Sequence, residues 1–420
     1  MWRRISGSWR CAACSAPKWC RPRRSGSGCC WGGPRGRPEA RCGVGNVTRG
    51  GMGMRMLKEA VYRLLVLSGA SWVDRRLNRR KSLVLLYHGV DADTVSPVLN
   101  FGGQHVRMQR FERQMRYLAA HYCVVPLDQL LNGTRGVDAG KPLAAVTFDD
   151  GYRNLYFFAY PVLKRLALPA TVFVITDSLQ SGRPRWWDRL SAMVASTQSS
   201  TVRVPVQGKE HWFRLGTLAE KQAALRVLAR ELQGLPPPQR EALLARLAVD
   251  LGVKEPMLPT SPPLTVSQLR EMAADGISVG SHGCSHDSFL HLSRAQLLAE
   301  LTESKGVLES VLQRPVPWLA YPYGDFSTDV AAAAREAGYR GALTTIERLN
   351  DGIPDPWAVR RMGVDDTMTL ACFIVATSGL RDVLKALLRV CRSWRSPFVA
   401  LVSDWSKRRR AAYVRDRGQV

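Results

Sequence analysis

Six short apolar runs recur along the middle of the chain, at 83–87 (LVLLY), 143–148 (LAAVTF), 170–175 (ATVFVI), 277–281 (ISVGS), 318–320 (WLA) and 341–345 (GALTT). Runs of this length without polar alternation predict strands buried on both faces. Between them apolar residues return at helical spacing, as with Phe111, Met115 and Leu118 in 111–121, and 154–168, 266–275, 292–312 and 328–337 also read as helices. Ser293 is placed to cap the start of one of these helices and Gly338 to close another. Buried strands alternating with helices predict a mainly parallel α/β sheet, either a barrel or a doubly wound sheet. In both architectures the chemistry gathers at the C-terminal ends of the strands.

Two stretches depart from this rhythm. Residues 61–73 (VYRLLVLSGASWV), followed by the basic 74–81 (DRRLNRRK), form an apolar helix with a basic end. Such a helix suits a membrane surface or a packed N-terminal position equally. Residues 183–263 contain Trp186-Trp187-Asp188, a polar β-like piece and a helical stretch split by Pro236–Pro238, and they end in four more prolines. The change of period marks an insertion or lid. Its tryptophans, Trp187 above all, are suited to stacking on sugar rings or to filling a core.

Charge sharpens this division. The 420 residues carry 60 Lys+Arg against 35 Asp+Glu, a net of +25, which at face value suggests nucleic acid or an anionic membrane. Residues 1–56 hold twelve basic residues and one acid (+11), and residues 381–420 hold eleven and three (+8), leaving +6 for the 324 residues between. A nucleic-acid surface needs basic residues interleaved with aromatics on a folded face, so terminal charge argues against that class. A hydrophobic fraction of 45% excludes a chain disordered throughout.

Six of the ten cysteines also lie in 1–56, where Cys11 and Cys14 form a CxxC. That pair can open a zinc site or a disulfide framework. No histidine accompanies it, so the segment reads as a disordered basic extension, with Met52, Met54 and Met56 as alternative starts. The sequence shows neither a secretory h-region nor an apolar stretch long enough to span a bilayer, which predicts a cytoplasmic protein, peripheral at the inner membrane face. The basic KRRR at 407–410, close to Trp394, Phe398 and Trp405, would suit the same anionic surface.

Three polar clusters fall at the ends of apolar runs. Thr147-Phe148-Asp149-Asp150-Gly151 sets two carboxylates side by side, an arrangement that needs compensation, usually by a cation, and is otherwise a simple Asp-Asp-Gly turn. His282 and His286 stand four apart just after 277–281, a spacing from which two imidazoles can converge on one metal, whereas Cys284 between them would point away. A set of two histidines and one aspartate takes a divalent transition metal with open positions. In Tyr321-Pro322-Tyr323-Gly324 the proline and glycine fix a turn that can present a main-chain N–H.

In this order on successive βα units, TFDDG, H-x-x-x-H and YPYG resemble the polysaccharide deacetylase family, the NodB-homology or carbohydrate esterase family 4 group, and LLYHGV at 85–90 is similar to its first strand. The resemblance covers 82–366, with 183–263 as an insertion, and leaves the N-terminal helix 57–81 and a basic helical tail 367–420 outside it. It implies a deformed, incomplete (β/α) barrel. It makes Asp149 the general base and assigns Asp150, His282 and His286 to a metal, zinc first and cobalt or nickel next. The backbone of Tyr323 would serve the oxyanion. The implied partner is an N-acetylated glycan, with an O-acetyl esterase or a catalytically weak carbohydrate-binding barrel as alternatives.

Three departures from the family pattern matter. Tyr321 stands where many members have an arginine paired with the base, and Arg360 or Arg361 is the expected substitute, one of them contacting Asp149. Gly283 stands where Ser or Thr often braces the loop. No histidine follows His291, so the late general acid is missing and His88, at the end of 83–87, is the substitute. Tyr321, Pro322, Trp187 and Arg361 are the expected substrate contacts.

Overall fold

The computed structural model describes residues 49–133, 140–206, 209–254, 262–352 and 354–387. The cysteine-rich extension up to residue 48, read from the sequence as a disordered basic segment, and the KRRR segment, expected to suit an anionic membrane surface, lie outside the described residues.

The apolar runs form one parallel sheet. Its spatial order is Gly341–Leu343, Trp318–Ala320, Ser278–Ser281, Thr171–Val174, Leu143–Phe148, Lys81–Tyr87, every neighbouring pair parallel. Leu143–Phe148 is buried along all but its first residue, as a strand covered on both faces must be. The sheet curls until its edges approach, and the gap is spanned by an irregular seam. Val359 bridges to Leu343 on one edge, while Met362–Gly363 pairs in parallel with Leu85–Leu86 on the other. The result is the deformed, incomplete barrel expected from the sequence. Leu85, Val146, Val172 and Val279 share one large buried cluster with Phe111 and Met115 of the helix Met108–His121.

Local departures have local causes. Residues 154–168 were read as a single helix, but a π-helical turn, Leu155–Ala159, precedes Tyr160–Arg165. Pro161 stands at the start of the second piece and lacks the N–H that regular α pairing requires. The N-terminal apolar helix is two, Arg49–Leu67 and Ala70–Leu77, because Gly69 turns left-handed at φ 76°. Arg294–Leu312 starts on Ser293 as expected, with a capping box to Gln296.

The insertion is a satellite with its own core. Helix Trp186–Ser196, the antiparallel hairpin Thr201–Val206 and Lys209–Arg214, and helices Leu218–Gln233 and Pro237–Asp250 enclose Leu190, Val194, Leu225, Leu228 and Leu244. Helix Leu370–Ser378, placed by sequence in the C-terminal tail, packs into the body instead. Phe373 is wholly buried there, and the Asn78 amide donates to the Ser378 carbonyl (3.1 Å).

Candidate active site

The site grows from two adjacent aspartates at the end of Leu143–Phe148. The Asp149 N–H continues the ladder to the Tyr87 carbonyl (2.9 Å), which fixes where its side chain leaves the strand. Its carboxylate is forked by Arg361, with Nη1 at 2.7 Å from Oδ1 and Nη2 at 2.8 Å from Oδ2. Arg361 is 0% exposed, and its Nε donates to the Thr344 carbonyl (2.8 Å). Burial pushes the Asp149 carboxyl up, but the Arg361 guanidinium, helped by His282, outweighs it and holds the group below the usual range. Asp149 is therefore a carboxylate at neutral pH.

Asp150 faces a different environment. Its backbone is left-handed (φ 71°), and its Oδ1 is buried without a hydrogen-bond donor among the described residues. That oxygen lies 3.6 Å from Nε2 of His282 and 3.4 Å from Nε2 of His286. The Nδ1 of His282 sits 2.8 Å from the Ala320 carbonyl, which places the proton on Nδ1 and turns the Nε2 lone pair toward the carboxylate. Burial, aided by the charge of His282, pushes His286 down to about 3, so it is neutral at physiological pH. One ligand atom from each of Asp150, His282 and His286 lies within 4.8 Å of the others. An orphaned carboxylate oxygen facing two imidazole nitrogens is a donor set that fits a divalent transition metal.

The loop that carries the histidines is braced from behind. Glu300 Oε1 accepts from the N–H groups of Cys284 and Ser285, both at 2.8 Å, and from the Ser285 hydroxyl. A Cβ at Gly283 would come 2.9 Å from that same oxygen, so glycine is compatible with this brace. Cys284 points away from the site, donating to the Glu300 carbonyl. Among the described residues five non-glycine residues have positive φ, and three of them are Asp150, His286 and Tyr323. Strained backbone at all three strand-end clusters is the pattern expected where geometry is held for chemistry.

Tyr323 lies with its ring edge-on to His286 (centroids 4.7 Å apart), and its N–H is paired with no other backbone group among the described residues. His88 is half-buried and makes no hydrogen bond or ion pair there. Burial lowers its pKa, partly countered by the charges of Asp150 and Asp149. Trp187 packs on His286 (5.0 Å) and donates through Nε1 to the Tyr152 hydroxyl (2.8 Å), which puts it on the wall of the site.

Three expected substrate contacts are not open to substrate. Tyr321 is wholly buried, stacks on Phe326 and donates its hydroxyl to the Trp357 carbonyl (3.2 Å), so its ring belongs to the outer core. Pro322 is buried in the turn that it shapes. Arg361 has both terminal nitrogens committed to Asp149. Of the two arginines the sequence offered as partner for Asp149, Arg361 makes the contact. Arg360 points outward toward Asp351.

Sequence reading missed the insertion's hold on the metal-site loop. Arg185 is buried, donates to the Asp150 carbonyl and lies over the Tyr152 ring (4.4 Å). Asp188, also buried, accepts weakly from the Tyr152 hydroxyl (3.4 Å). Burial and the nearby Asp150, against partial relief from Arg185, push Asp188 up to about 7. Arg240 donates to Asp287, next to His286 (2.9 Å). The one available signal was the polar Arg185 and Asp188 framing the Trp pair in an otherwise apolar helix start.

Comparison with known proteins agrees with the motifs. A model of the polysaccharide deacetylase family matches residues 136–202 and 209–342. The chain is 21% identical over 292 residues to YxkH of Bacillus subtilis, whose name assigns it to the polysaccharide deacetylases, covering 69% of this chain and 74% of that protein. Among solved structures it is similar to the Streptococcus pyogenes deacetylase PplD in complex with acetate (18% identity, 71% of this chain and 98% of that one, TM-score 0.48). It is also similar to a de-N-acetylase of Aggregatibacter actinomycetemcomitans (17% identity, 70% and 99%, TM-score 0.45). With its TFDDG, H-x-x-x-H and YPYG segments at the ends of a curled parallel sheet, the chain is similar to the polysaccharide deacetylase family over the residues that its model matches.

Proposed function

We propose that this chain is a metal-dependent hydrolase that removes acetyl groups from N-acetylated sugars of a polysaccharide, oligosaccharide or lipid-linked glycan. The observation that carries the reading is the pairing of an Arg361-forked, ionised Asp149 with the adjacent Asp150–His282–His286 donor set. A divalent ion held there, zinc first by the nature of the ligands, supplies Lewis acidity toward the acetyl carbonyl and lowers the pKa of a water.

The remaining steps fall to the chain. Asp149 accepts a proton from the attacking water, and Arg361 keeps the carboxylate charged and aimed. The Tyr323 N–H donates to the oxygen of the tetrahedral intermediate, its approach set by the Pro322 turn. His88 passes a proton to the departing amine. Because burial keeps it neutral, the proton that it donates is the one Asp149 has taken from the water, relayed to the amine so that Asp149 returns to the carboxylate. That same property favours a second reading, an O-acetyl ester substrate, whose leaving group asks less of the acid. Trp187, at the wall of the site, is placed to stack on a sugar ring.

Acetate release from N-acetylglucosamine oligomers and from an O-acetylated xylan, measured on the zinc-loaded protein, tests the reading. Expected is release from the N-acetyl substrate, reduced by about 10²–10⁴ in Asp149→Asn with the metal retained. Release from the xylan alone would move the assignment to the ester. No release from either, with glycan binding intact, would make the barrel a carbohydrate-binding module.

A further inference from the structure

We propose that the two N-terminal helices form a docking surface for an anionic lipid bilayer, lying in its interface rather than crossing it. Helix Arg49–Leu67 is apolar on two sides. Tyr62, Leu65 and Val66 turn to the body, where Glu59 also accepts from the Thr369 hydroxyl (2.6 Å). On the other side Met56, Leu57, Val61, Leu64 and Leu67 are exposed, at 70%, 64%, 41%, 65% and 83%. At helical pitch these five share one arc of about 140°. The left-handed Gly69 then turns the chain into Ala70–Leu77, which exposes Trp72, Val73 and Leu77 (77%). An apolar face of this extent marks an interaction surface, since scattered single exposed residues would need no partner.

Charge decides which partner. Residues 56–81 hold seven basic groups (Lys58, Arg63, Arg75, Arg76, Arg79, Arg80, Lys81) against Glu59 and Asp74. Both acids are engaged, Glu59 by Arg63 and Thr369, and Asp74 by Asn78. Beside this face Arg63, Arg107, Arg110 and Arg113 line an open cleft of about 440 Å³ with Glu59 and Asp93 also in its wall; Arg63 pairs with Glu59 and Arg107 and Arg110 with Asp366, which leaves a small basic excess toward a phosphate headgroup. A second copy of the chain would bring the same basic surface against itself, whereas a bilayer with anionic headgroups complements both the apolar arc and its basic border. Among the described residues no helix is long and apolar enough to cross a membrane.

The test is flotation of the full chain with phosphatidylcholine vesicles, with and without phosphatidylglycerol, at low and high salt. The wild type should float with the anionic vesicles and detach as salt rises. The variants Leu64→Glu/Leu67→Glu and Arg79→Glu/Arg80→Glu, all at exposed positions, should each bind about tenfold more weakly. Circular dichroism and acetate release from a soluble oligosaccharide should be unchanged, so the result is read separately from the deacetylase reading. The proposal is overturned if the wild type does not float. It is also overturned if both variants float like the wild type while removal of 388–420 abolishes flotation. A wild-type dimer that Leu64→Glu/Leu67→Glu converts to monomers, without vesicle binding, would overturn it in favour of a second copy.

Discussion

Asp149 and Asp150 are joined by one peptide bond and are equally buried, yet the protein treats them in opposite ways. The region on the Asp149 side is closed: two guanidinium nitrogens satisfy both oxygens, and the arginine is anchored again at Thr344. The region on the Asp150 side is open: one oxygen has no donor, two imidazole nitrogens face it, and the insertion supplies Arg185 to the carbonyl of the same residue. A satisfied carboxylate is held in shape and charge, while an orphaned one stores an unpaid desolvation cost that a cation relieves. Two like residues are thus suited to different proposed roles, base and ligand, because their surroundings, and not their chemistry, differ.

The largest expected effect separates the two directly. Asp150→Asn should abolish tight binding of a divalent ion, measured by metal content after dialysis, whereas Asp149→Asn should retain it. Equal metal loss in both would end the distinction. Next in size is the closed side. Arg361→Met leaves a buried carboxylate alone and should destabilise the fold by about 3–5 kcal/mol in urea unfolding. Asp149→Asn/Arg361→Met, which removes both charges, should recover part of that loss. A double variant as unstable as the sum of the singles would show that the pair does not act as a pair.

On the open side, Arg185→Gln should weaken metal binding about tenfold by calorimetry, because it loosens the left-handed Asp150 backbone without touching a ligand. An unchanged affinity would reduce Arg185 to a packing residue. The smallest effect is a slope. Asp188 titrates at about 7 in the folded protein, above the ordinary aspartate value, so the folded state holds the extra proton between those limits. Its contribution to stability therefore falls as pH rises through about 7. The melting temperature of Asp188→Asn relative to wild type should climb between about pH 5 and pH 8, and a pH-independent difference would refute the shift.

The parallel sheet was legible because each of its strands is a contiguous apolar run, whereas the order of the strands in space was not. The residues of the candidate ligand set were legible because Asp150, His282 and His286 sit where those runs end, and the structure brings the three together. The partner of Asp149 was legible only as a choice between Arg360 and Arg361. Successive residues in extended chain point to opposite sides, and the pairing of Met362 with Leu85 decides which arginine faces inward. Tyr321 was misread as a substrate contact for the same reason: adjacency to a site motif does not say which face of the sheet a side chain takes. Arg185 and Asp188 were missed because nothing near them in sequence shows that the insertion folds back on Tyr152.

By itself, then, the sequence determined what is local: buried strands, helix caps, and three polar clusters at strand ends. The tertiary structure decided what is distant. Arg361 reaches Asp149 across 212 residues of chain because the seam at 359–363 pairs with both edges of the curled sheet. That closure depends on how the whole sheet twists and packs. It carries no signature in any short stretch of residues, yet it gives one of two adjacent carboxylates an arginine partner and leaves an oxygen of the other without a donor.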